Sequence, residues 1–126
     1  MKANKLRIGN LIRWISTGEI DTVKDIFSAG GKHGAGGKHE SINNVNIQDC
    51  EPIPLTEEWL KRFGFEKNME IYYYHSKMSQ IIIKQMPNWH LVKTISGNQI
   101  TSINNVHQLQ NLYFAFTGNE LKIIQK

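Results

Sequence analysis

Cysteine, arginine and long apolar runs are scarce in this chain, and each shortage removes a class of protein. Cys50 is the only cysteine, which excludes an internal disulfide and every multi-cysteine zinc or iron-sulfur site and fits a reducing compartment. No apolar run approaches the roughly 20 residues of a membrane helix, and Met1-Lys2-Ala3-Asn4-Lys5 leads into no apolar signal core. The expectation is a cytoplasmic protein with no membrane association. The net charge of +4 rests on 12 Lys and only 3 Arg. Arg is the residue favoured for bidentate phosphate and base contacts, so the balance points only weakly to nucleic acid. With 17 Ile and 12 Asn, the lysine excess is also what an AT-rich coding sequence yields. Acidic side chains are missing altogether between Glu70 and Glu120, where Lys77, Lys84, Lys93, His75, His90 and His107 occur. If any face is positive, this segment supplies it.

What is present reads as one α+β domain over residues 1–126, with mostly antiparallel strands and two helices packed on them. At 126 residues and 40% hydrophobic composition the chain is long enough to bury a sizeable core. Residues 6–15 predict a strand bent at Gly9-Asn10, and residues 20–27 a second strand paired with it as a hairpin. Residues 29–40 hold Gly-Gly-Lys-His twice and predict a flexible loop or hairpin tip, since so many glycines lose too much backbone entropy on ordering. Residues 41–48 predict the returning strand. Pro52 and Pro54 then introduce a short helix: Thr56 is the N-cap, Glu57 and Glu58 fill the first turn, Lys61 and Arg62 the last, and Gly64 stands at the C-cap. Trp59, Leu60 and Phe63 form its apolar stripe. A meander follows over 71–75, 80–86, 89–95 and 99–103. A second helix is predicted over 105–117, with Val106, Leu109, Leu112, Tyr113 and Phe116 inward and His107, Gln108, Asn111 and Ala115 outward. A final edge strand is predicted over 120–125.

No motif names a reaction. The glycine loop fails as a P-loop, because Lys32 stands where the first glycine belongs and His39 where the magnesium-binding hydroxyl belongs. No dinucleotide fingerprint fits either. His33 and His39 are too few to hold a metal, so no metal and no cofactor is expected. Lys32 and Lys38, with backbone amides, remain candidate phosphate contacts, and Lys32, His33, Lys38 and His39 are the loop's candidate site residues. Cys50 lies between Asp49 and Glu51, whose charges disfavour a thiolate, and reads as a small structural residue. No carboxylate pair offers acid–base work. Between residues 72 and 93 aromatic and basic residues interleave, and Tyr73, Lys77, Lys84, Trp89, His90 and Lys93 are the candidate binding residues. Exposed aromatics beside lysines suit both base stacking and a protein interface.

Residues 4–10 (Asn-Lys-Leu-Arg-Ile-Gly-Asn), residues 51–58 with Phe63-Gly64-Phe65-Glu66, and residues 106–115 with Thr117-Gly118 resemble a family of small uncharacterised proteins encoded by phages, prophages and mobile elements of Bacteroidetes-type bacteria. The resemblance implies context, not chemistry. Such accessory proteins are often non-enzymatic binders, and some inhibit host defence, including CRISPR effectors. The leading expectation is therefore a non-catalytic accessory protein that binds a host protein or ribonucleoprotein. A nucleic-acid-binding module using the meander is the alternative, and a small histidine-dependent enzyme the third.

Overall fold

Thr56 and Asn105 show how closely local chemistry sets the helices. The Thr56 hydroxyl accepts from the Trp59 N–H at 3.4 Å and opens α1 (Glu57–Arg62). Asn105 opens α2 (Val106–Thr117) with a reciprocal capping box, in which Gln108 Oε1 accepts from the Asn105 N–H at 3.0 Å. The computed structural model describes residues 6–29, 39–43, 45–68, 71–78 and 80–124. Among these residues all strand pairs are antiparallel, and the fold is α+β. Two compact units divide the chain, Met1–Ile53 and Pro54–Lys126.

The first unit holds two three-stranded sheets. β1 (Leu11–Trp14) lies between β2 (Ile20–Thr22) and β6 (Cys50–Glu51); β3 (Ile26–Ala29), β4 (His39–Ile42) and β5 (Val45–Asn46) form the other sheet. The expected second strand over 20–27 is thus two strands in different sheets. The break falls at residues 23–25, where Val23 turns into the core and the Asn43 side chain accepts from the Lys24 N–H at 2.7 Å and donates to the Thr22 carbonyl at 2.9 Å. Asn43 itself has φ +53, which ends β4 and splits the expected returning strand; a 3-10 turn at Ile47–Asp49 follows β5. Leu6, Ile12, Val23, Ile42, Ile47 and Cys50 make the core of this unit. The glycine-rich residues 30–38, with Lys32, His33 and Lys38, lie outside the described residues, and His39 is the first residue of β4.

The second unit is α1, a five-stranded sheet and α2. Its strands β7 (Glu66–Asn68), β8 (Tyr72–Tyr74), β9 (Ile81–Gln85), β10 (His90–Thr94) and β11 (Gln99–Ile103) are neighbours in chain order, which is the predicted meander with one strand added at its start. β7 is polar and exposed throughout, so it carries no alternation for a sequence reading to detect. The predicted edge strand at the C-terminus does not form within 120–124; instead the Ile124 N–H donates to the Arg62 carbonyl at 2.7 Å.

Burial corrects the predicted faces of α2. Trp59, Leu60, Phe63, Leu109 and Tyr113 are buried as expected, but Phe116 is 52% exposed and His107, expected outward, is buried. Periodicity fixes the angle of an apolar stripe but not how far along the helix a neighbour lies beneath it. Here the stripe ends at Tyr113, whose ring meets His75 at 5.1 Å.

Candidate functional site

Register across β8, β9 and β10 decides which side chains meet solvent. Tyr73 pairs with Ile83 and Ile83 with Val92, and all three are fully buried. Side chains alternate along a strand, so Tyr72 and Tyr74 stand on the opposite face with Ile82, Lys84, Leu91 and Lys93. This face is at least partly exposed throughout, with Tyr74 at 38% and Ile95, just beyond β10, at 64%. A groove of about 710 Å³ runs over it, lined by Tyr72, Tyr74, Ile82, Lys93, Ile95 and Gly97 among others. Lys84 Nζ sits 5.8 Å from the centre of the Tyr72 ring. At the β7 edge the Tyr74 hydroxyl donates to Glu66 Oε2 at 2.6 Å, and this bond, then the carboxylate charge, pushes the phenol pKa up.

The six predicted binding residues do not gather in one place. Lys84 and Lys93 lie on the open face. Lys77 is exposed in the turn after β8 and lines a different depression, of about 700 Å³, with Phe63, Tyr113 and Phe114. Tyr73 is a correction: its ring is in the core, and its hydroxyl donates to Gln85 Oε1 at 3.2 Å. His90 is a second correction, being only 6% exposed. Neither of its ring nitrogens has a hydrogen-bond partner among the described residues, and burial lowers its pKa. Trp89 is exposed in the β9–β10 turn, at a cleft of about 260 Å³ shared with Pro54, Glu57 and Asn104.

Tyr73 is the wrong choice between two faces because Ile81-Ile82-Ile83 is apolar on both, so alternation within β9 does not say which side is buried. The pairing of Tyr73 with a fully buried Ile83 does say it, and pairing is a tertiary fact.

Two further ionisable groups, His75 and Cys50, are packed among their neighbours. His75 lies edge-on between Phe65 at 5.0 Å and Tyr113 at 5.1 Å, and its Nδ1 accepts from the Lys77 N–H at 3.2 Å. Burial lowers its pKa, a bond to the Phe63 backbone opposes that shift, and the Lys77 charge adds to it. Cys50 is buried and its thiol donates to the Ile47 carbonyl at 3.1 Å; burial, and then the Asp49 charge, push its pKa up. Among the described residues no three His, Cys, Asp or Glu side chains gather as a metal-binding group, and no helix is long and apolar enough to cross a membrane. No protein-family model, curated protein or solved structure matches this chain.

Proposed function

We propose that the chain is a non-catalytic binding protein and that the open face of its five-stranded sheet docks a protein partner, alone or within a ribonucleoprotein. The observation that carries this reading is the composition of that face: Tyr72, Tyr74, Ile82, Leu91 and Ile95 interspersed with Lys84 and Lys93, and one acid, Glu66, at its far edge. Tyrosines and aliphatic side chains supply apolar contact area at small entropic cost, and the lysines favour an acidic counter-surface. The family resemblance extends the proposal to a phage or mobile-element accessory protein in a bacterial cytoplasm, with inhibition of a host defence complex as its sharpest form.

Free nucleic acid is the second reading, favoured by the Lys84–Tyr72 stack and by the absence of acids from 71 to 119. Two lysines limit it. Each phosphate contact contributes about −0.7 to −0.9 to the log–log salt slope, so two contacts leave weak binding at physiological salt.

The test is affinity capture from a bacterial lysate, with and without nuclease, using the wild-type chain and a Tyr74→Ser/Lys93→Glu/Ile95→Ser variant whose fold is checked by circular dichroism. A nuclease-resistant partner lost by the variant supports docking on this face. Undiminished capture by the variant overturns it, and a partner lost only on nuclease treatment favours the second reading.

A further inference from the structure

The two edges of the five-stranded sheet are built differently. The β7 edge is three residues long and carries Glu66 and Lys67, both engaged: Glu66 by Tyr74, and Lys67 by Glu57 at 3.1 Å. The β11 edge is five residues long, Gln99-Ile100-Thr101-Ser102-Ile103, with no charge, proline or glycine, and its first four residues are exposed. Among the described residues β11 pairs only with β10, and no backbone hydrogen bond reaches it from elsewhere. Sheets guard their edges with short strands, charges and prolines, because an unguarded row of backbone donors and acceptors is a template for another strand. β7 is guarded in two of these ways; β11 has none of these three and carries only the further device of a β-bulge. Its irregularity is a register shift opposite Val92 and Lys93, which leaves Ile100 without a direct partner on β10 and 40% exposed.

Charge narrows what would pair there. Lys93 stands opposite Gln99, one strand in from the edge, on the open face. An added strand would lie about 4.8 Å beyond β11 and about 10 Å from β10, a span that a lysine and a glutamate side chain close together. With no acid between residues 71 and 119, nothing on these strands competes for Lys93. A second copy of the chain would bring an uncharged β11 with a further Lys93 behind it, so charge favours an acidic occupant over a second copy.

We infer that β11 takes an extended acidic segment of the partner protein as a sixth strand, with an acidic side chain opposite Gln99 and facing Lys93. The inference rests on the docking reading and makes it specific: main-chain bonds along β11 supply register, and Lys93 supplies the preference for acid.

The probe is a blocked heptapeptide alternating glutamate with valine or threonine, set against the same peptide with lysine in place of glutamate, titrated into the isotope-labelled full chain. The expected result is slowed amide exchange concentrated in residues 99–103, with the acidic peptide binding about fivefold tighter than the basic one and that preference shrinking in Lys93→Gln. Equal affinity for the two peptides, no protection of 99–103, or a β11 already protected by self-association before peptide is added would overturn it. In the capture experiment Ile100→Lys places a charge on the edge while leaving Tyr74 and Ile95 in place. Loss of the partner supports the inference. Retention by Ile100→Lys with loss in the open-face variant leaves the docking face standing and removes the edge, and retention in both removes both.

Discussion

Tyr73 and Ile83 stand opposite each other across β8 and β9, and neither side chain retains surface in contact with water. Burial, then the nearby Glu57 carboxylate, pushes the Tyr73 phenol up to about 12 from an ordinary value of 10. The folded state therefore holds this proton more tightly than the unfolded chain. The stabilisation is fully present below pH 10 and is lost as pH rises from 10 to 12, by about 2 to 3 kcal/mol. Urea unfolding at pH 9 and pH 12 measures it, and Tyr73→Phe should remove most of that dependence.

Acid should destabilise the fold through His90 and His107. Burial lowers both pKa values, so each imidazole stays neutral in the folded state below the pH at which the unfolded chain takes up a proton. Stability is present above the unfolded value near 6.5 and falls as pH drops below it, by up to about 1.4 kcal/mol per pH unit for each histidine. His90→Leu should flatten this slope while costing little at pH 8, because neither nitrogen has a partner to lose among the described residues. A steeper acid dependence in the variant would refute the assignment.

Two phenylalanines separate buried from exposed aromatic surface. Phe63 is fully buried, 5.7 Å from Trp59, and Phe63→Ala should cost about 3 to 5 kcal/mol. Phe116, on the last turn of α2, is half exposed, and Phe116→Ala should cost less than about 1 kcal/mol. Chemical denaturation of the two variants side by side checks the difference.

Asn43 combines a left-handed backbone with side-chain bonds to Lys24, Asp25 and Thr22. Asn43→Gly keeps the backbone conformation and loses the bonds, at a cost of about 1 to 2 kcal/mol. Asn43→Ala loses the bonds and adds backbone strain, for about 2 to 3 kcal/mol. The thermal midpoints should fall in the order wild type, Gly, Ala.

The candidate site was legible in composition and not in orientation. The acid-free segment, the interleaved tyrosines and lysines and the strand positions over 71–103 all follow from residue order, and Lys84 and Lys93 do lie on the open face. Tyr73 and His90 were expected at the surface and are in the core, because a side-chain period of two leaves the choice of face to the partner strand. Lys77 and Trp89 flank strands in turns, and they line depressions other than the open-face groove.

By itself the sequence determined what is encoded within a few residues. Thr56, Asn105 and Gln108 satisfy orphan backbone N–H groups in their own helix, Gly118 takes φ +73 to end α2, and the turn residues between apolar runs space the meander. Tertiary structure alone decided what depends on a distant partner. Ile20 and Ile26 went to different sheets because β1 and β4 pair with them; Asn43 reached across to Lys24; β7 formed only because β8 lay beside it; and Phe116 was left in solvent because the buried stripe of its helix ends at Tyr113. Local hydrogen bonds can be read from neighbours in sequence, whereas burial is a property of the surface that another segment brings.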